Sequence, residues 1–215
     1  MAAVLVATLG ESPVVVTAMY EALQKHPSGP RLKPEKVYLL YPGEETGRFI
    51  GIGAELIQEQ LKNQCDVIPC PLPFEDARSY EDSILFLRTL HHVLEECRHE
   101  EVYVSLVGGR KSMSALAGII AQFHRCIRGV YHLLDKYEDD PVRHSFYTIE
   151  ELDSLPASER KKKMFPPVEN LNIITIPFQY LANSSQLIDM TYALNGNCFH
   201  FGLLLNHFIS ALSGQ

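Results

Sequence analysis

The stretch Val102-Tyr-Val-Ser-Leu-Val-Gly-Gly-Arg-Lys-Ser-Met-Ser114 combines an apolar run, two glycines, a basic pair and hydroxyls that lead into a small-residue segment. Gly108 and Gly109 permit a tight turn or a close backbone approach, because neither carries a Cβ. A helix starting just after them presents unpaired N–H groups and partial positive charge, which suits an anion. Arg110 and Lys111 add full charges in the same place. The pattern reads as a phosphate site, with an ordinary strand-to-helix turn carrying two exposed basic residues as its structural alternative. A second loop, Leu9-Gly-Glu-Ser12, follows the first apolar run and brings a hydroxyl before Pro13. Ser12 there has a bland role too, as a helix N-cap ahead of a Pro at the first helical position.

Other chemistries fit less well. Gly108-Gly-Arg-Lys-Ser112 shares only the Lys-Ser ending of a P-loop, and Gly51-Ile-Gly53 lacks the third glycine of a dinucleotide fingerprint. Gly10-Glu-Ser-Pro-Val14 has Val where a hydrolase nucleophile elbow needs its second Gly. For metals there is no HExxH. His91, His92 and Cys97 lie on an apparent helix at spacings that do not converge, so they read as surface or packing residues.

The elements that must position these loops follow from hydrophobic patterning. Ala3–Thr8, Lys36–Tyr41, Asp66–Cys70, Glu101–Val107, Gly129–Leu134 and Leu171–Ile176 read as strands. The Pro in the third suggests an irregularity or bulge. Helical spacing predicts helices after Pro13, over residues 46–62, over Tyr80–Arg98 and over Ser112–Ile127, with a closing helix over Cys198–Leu212. Asp135–Lys163 is polar and punctuated, and the run Arg160-Lys-Lys-Lys163 reads as a solvated surface or loop. Alternating strands and helices predict an α/β fold, a doubly wound and mostly parallel Rossmann-like sheet with helices on both faces. Residues 1–150 form the main domain in this reading, and 151–215 a C-terminal extension packing on the same domain. In the order 3-2-1-4-5-6, strands one and four are neighbours and their following loops leave a crevice at the carboxyl ends. Ser12 and Lys111 should then face one another across it.

Composition narrows the class. The 215 residues are 46% hydrophobic and 21% charged, ordinary for a globular protein with a real core. No apolar run approaches the ~20 residues of a membrane span, and the N-terminus lacks a charged leader pattern. Five scattered cysteines without a CxxC pair suit reduced thiols and a cytoplasmic location. A formal charge of −7 weighs against a long DNA or RNA track, although a small anionic ligand needs only a local positive pocket.

The two loops together resemble those of the CRISPR-associated Rossmann-fold (CARF) proteins. The matching residues are Ala7-Thr-Leu-Gly-Glu-Ser-Pro-Val-Val-Val-Thr17, Gly108-Gly-Arg-Lys-Ser-Met-Ser114 and Val130-Tyr-His-Leu-Leu134, within residues 1–150. The resemblance implies a homodimer binding a cyclic oligoadenylate, most simply the tetraadenylate, whose two-fold symmetry matches that of a dimer. It implies ligand contacts from Thr8, Leu9, Gly10 and Glu11 on one loop and from Gly108, Gly109, Arg110, Ser112 and Met113 on the other. Many relatives carry a C-terminal HEPN ribonuclease, which needs R-x4–6-H on a helix. Arg125 and His132 match that spacing, but Gly129 and a strand lie between them. Short members include ring nucleases, which cleave the messenger and switch the response off. That reading expects no cofactor or metal and assigns catalysis to Ser12 and Lys111. A non-catalytic sensor acting on a separate effector, or a regulator, is the alternative.

Overall fold

The computed structural model describes residues 1–43, 47–140 and 142–178, without the side chains of residues 47–49. Chain order is β1 (Ala3–Thr8), α1 (Val14–Lys25), β2 (Lys36–Pro42), α2 (Gly47–Leu61), β3 (Asp66–Leu72), α3 (Tyr80–Glu96), β4 (Glu101–Ser105), α4 (Lys111–Ile120), β5 (Ile127–Asp135), α5 (Ile149–Asp153), α6 (Ala157–Lys163) and β6 (Leu171–Thr175). The closing helix expected over Cys198–Leu212 lies outside the described residues.

The sheet order is β3-β2-β1-β4-β5-β6. β1 to β5 run parallel to their neighbours, and β6 is antiparallel to β5. The order reverses between β1 and β4, so the predicted switch point is present. Alternation along the strands feeds two cores. Val4, Val6 and Leu40 face α3 and α4, where Phe86, Leu90, Met113 and Ile120 are buried. Leu5, Ala7 and Leu39 face α1 and α2, where Met19, Leu23 and Ile57 are buried. Leu152, Met164 and Leu171 join this second core. Every residue of β1 from Val4 to Thr8 is buried, as a strand covered on both faces requires.

The structure revises several local readings. β3 carries Pro69 and Pro71 but keeps an unbroken register with β2 from Asp66 to Leu72. β3 is an edge strand. Its prolines are two apart, so their missing N–H groups fall on one side of the strand, the open one. The irregularity lies instead between β4 and β5, at Val102/Tyr103. β4 stops at Ser105 rather than Val107, because the Val107 N–H turns back to Ser105 Oγ at 3.3 Å. The basic run is a solvated surface, as expected, but a helical one and not a loop: it ends α6, where cations complement the helix dipole. Arg160 Nε also donates to the Leu152 carbonyl at 3.0 Å and ties α6 to α5. Among the described residues, no helix is long and apolar enough to cross a membrane.

Candidate functional site

The loops after β1 and β4 touch through backbone. A Cβ built on Gly10 would meet Gly109 N at 2.9 Å, and one on Gly108 would meet the Thr8 carbonyl oxygen at 2.5 Å. Gly108 and Gly109 have φ of +92 and +67, in the region that disfavours side chains. Thr8 Oγ1 donates to the Gly108 carbonyl at 2.8 Å and closes the contact. Loop–loop packing alone therefore requires these glycines, whatever ligand they also approach.

The joined loops form one wall of a crevice of about 500 Å³ at the carboxyl ends of the parallel strands. Leu9, Gly10, Glu11 and Ser12 line it on one side and Gly108, Gly109 and Arg110 on the other. Pro42, Ile50, Glu75, Asp76 and Arg78 complete the lining. Not every expected residue reaches it. Lys111 is exposed at the first position of α4, off the crevice wall, and its ammonium has no partner among the described residues. Ser112 is exposed and also off the wall. Met113 is fully buried in the core between α4 and the sheet, and Thr8 is 3% exposed with its hydroxyl spent on Gly108. The guanidinium beside the glycines, not the ammonium, faces the crevice.

Ser12 does not cap α1. Pro13 holds the N-cap position, with no side-chain hydrogen bond. The Ser12 hydroxyl instead donates to the Tyr147 carbonyl at 2.8 Å, and the Ile149 N–H donates to the Glu11 carbonyl at 2.9 Å. The segment entering α5 thus holds the β1 loop in place. Arg110 is the N-cap of α4 and likewise makes no side-chain cap bond. Ser12 and Arg110, which line the crevice, thus immediately precede the first turns of α1 and α4, and neither N-cap side chain satisfies a backbone amide.

The β3–α3 loop adds charges that motif reading passed over. Arg110 donates from Nε and Nη2 to the two oxygens of Asp76 at 2.6 and 2.7 Å, and Arg78 Nε donates to Asp76 at 2.8 Å. Hydrogen bonding from Arg110, then from Arg78, holds the Asp76 carboxyl below the usual carboxylate range. The only signal for this loop is topological: every loop after a parallel strand emerges at the same edge.

One further cluster forms away from the crevice. His91 Nδ1 lies 3.2 Å from His124 Nε2, and His124 Nδ1 lies 3.4 Å from Glu95 Oε1. His91 is a packing residue, as expected, but its partner His124 is distant in sequence and was not foreseen. Burial pushes the His124 imidazole down to about 3 and lowers His91 as well. Both rings are therefore neutral at pH 7 and serve as a hydrogen-bonded chain between α3 and the residues before β5. His132 is only half-buried on β5.

With the geometry in place, known proteins bear on it. No curated protein matches the chain. Among solved structures, Enterococcus italicus Csm6 bound to cyclic hexa-2′-fluoro-hexa-dAMP aligns with a TM-score of 0.50 and 14% identity, over 81% of this chain and 42% of that one. A type III CRISPR defence DNA nuclease activated by cyclic oligoadenylate aligns at a TM-score of 0.46 and 16% identity, over 76% of this chain and 23% of its own. The chain spans less than half the length of either, and the Csm6 likeness speaks for the Rossmann-like fold alone. The CRISPR-associated protein NE0113 family matches residues 12–195, from Ser12 at the end of the β1 loop through the β4 loop, α5, α6 and β6. In agreement with the CARF resemblance of its two loops, the chain belongs to the CRISPR-associated protein NE0113 family.

Proposed function

We propose that the crevice binds a cyclic oligoadenylate, most simply the tetraadenylate, and that two copies of the chain share one ring. We propose also that they open the ring by metal-independent transesterification, which would switch off type III CRISPR signalling. The observation that carries the binding is the contact of Gly10 with Gly109, which sets Ser12 and Arg110 on one opening. At about 500 Å³ the crevice has the size of a site for one drug-sized ligand. A ring of four or more nucleotides is larger, which supports sharing between two protomers.

In the reaction a ribose 2′-hydroxyl attacks its own 3′-phosphate and the P–O5′ bond breaks. The products are a 2′,3′-cyclic phosphate and a 5′-hydroxyl; the proton lost at O2′ is balanced by the one gained at O5′. Ser12 spends its proton on the Tyr147 carbonyl, so its oxygen lone pairs remain to accept from a donor. That favours Ser12 as the group that orients the 2′-hydroxyl over Ser12 as a phosphate donor. Arg110 clamps a phosphate. Lys111, exposed at the start of α4 and without a partner among the described residues, would meet charge that develops on the transferring phosphorus, where losing one such group typically costs about 2.7–4 kcal/mol of barrier. Glu11 stays outside the catalytic set, since a carboxylate repels phosphate.

A non-catalytic sensor is the second reading, favoured by the placement of Lys111 off the crevice wall. Incubation with cyclic tetra- and hexaadenylate, with and without EDTA, separates the two. Ring opening predicts linear products that persist in EDTA and fall by about 100-fold or more in Lys111→Ala, with ring affinity largely kept. Ser12→Ala should slow opening while the linear products stay the same. An intact, tightly bound ring selects the sensor, and no binding at all sinks both.

A further inference from the structure

Asp76 sits where a ligand phosphate would be expected. Its two oxygens take the Nε and Nη2 edge of Arg110 in a fork, and one also takes Arg78 Nε. A phosphate offers a guanidinium the same pair of oxygens. The carboxylate is the enclosed member, 10% exposed, whereas the side chains of Arg110 and Arg78 are 60% and 77% exposed. All three line the crevice. The loop that carries Asp76 is anchored at both ends. Phe74 is buried at one end, and at the other Ser79 and Asp82 form a reciprocal capping box that starts α3.

We propose that Asp76 sets an affinity threshold: it occupies Arg110 and Arg78 in place of phosphate, so that single phosphates bind too weakly to displace it and ligands that carry several linked phosphates still do. The inference rests on the reading of the crevice as a phosphate site. A lone phosphate that displaces Asp76 trades one fork for an equivalent one and gains little. It also leaves a carboxylate unpaired beside it. A ligand with further phosphates adds contacts elsewhere along the crevice, and these outweigh the exchange. Glu11 and Glu75 on the same walls act in the same direction.

The test compares wild type, Asp76→Asn and Asp76→Ala by calorimetry with AMP, inorganic tripolyphosphate and cyclic tetraadenylate. Thermal melts check that each variant folds. The expected result is an affinity gain of about tenfold for all three probes in both variants, because every phosphate that takes the fork is spared the same displacement, and AMP binding then becomes measurable. Reduced affinity for all three probes would make Asp76 a simple support for Arg110, and unchanged affinity would mean that it does not compete with phosphate; either overturns the proposal. AMP and tripolyphosphate bound by none of the proteins also overturns it. If the ring alone fails to bind while AMP and tripolyphosphate gain as stated, the cyclic oligoadenylate reading fails and the role of Asp76 stands.

Discussion

His124 shows how one residue couples the fold to pH. It is 4% exposed, and burial, then the neighbouring His91, keeps its ring neutral down to about pH 3. Glu95 lies 3.4 Å from Nδ1, but its side chain is 43% exposed and its charge is screened by water. In the unfolded chain a histidine titrates near pH 6.5. Above that value both states are neutral there. As pH falls below it, the unfolded state takes up a proton that the folded state refuses, so stability declines until about pH 3. The slope from one such group approaches about 1.4 kcal/mol per pH unit, and His91, lowered in the same direction, adds to it. Thermal unfolding between about pH 7 and about pH 5 should show the decline. His124→Gln should flatten it, because the carboxylates held low, such as Asp76 and Glu151, titrate further down and are common to both proteins. Equal slopes in the two proteins would remove the histidine chain from this account.

At the scale of elements, the contact between the β1 and β4 loops should be costly to disturb. An Ala at Gly108 meets both a φ of +92 and the Thr8 carbonyl oxygen at 2.5 Å. The backbone conformation alone costs roughly 1–2 kcal/mol, and the contact adds to that. At about 2–4 °C per kcal/mol for a chain of this size, Gly108→Ala should melt several degrees lower. Gly51 in α2 is the control. A Cβ there meets nothing within 4 Å, so Ala should raise the melting temperature slightly through helix propensity. A Gly108→Ala protein as stable as wild type would mean that the two loops do not depend on each other. This junction was legible in the sequence because strand count and order place the two loops side by side, and glycines mark where backbones meet. What lay beyond reading was phase and partnership. Whether Arg110 or Lys111 faces the crevice depends on where α4 begins. Asp76 and Arg78 belong to a loop with no motif, and they matter only because β3 ends at the same edge as β1 and β4. Ser12 looked like a cap, yet its partner is a backbone carbonyl far along the chain, which any residue at position 147 could supply.

For the whole molecule, charge and size point the same way. The chain carries a formal charge of −7, and the crevice wall itself presents Glu11, Glu75 and Asp76 against Arg78 and Arg110. One protomer is thus poorly matched to a ring of several phosphates. Two copies related by a two-fold would double Arg110, Lys111 and the uncapped helix starts around the axis, with each half of a tetraadenylate ring meeting the same set. Calorimetry should then give one ring per two chains, and sedimentation should show a dimer in the presence of the ring. Salt should weaken the complex, because exposed guanidinium–phosphate pairs are screened. Removing Arg110 removes two clamps at once, so Arg110→Ala should weaken ring binding by more than the roughly tenfold expected of a single charge-assisted contact. A stoichiometry of one ring per chain, or a protein that stays monomeric with the ring bound, would overturn the shared site. It would leave the crevice of a single protomer as the whole ligand site.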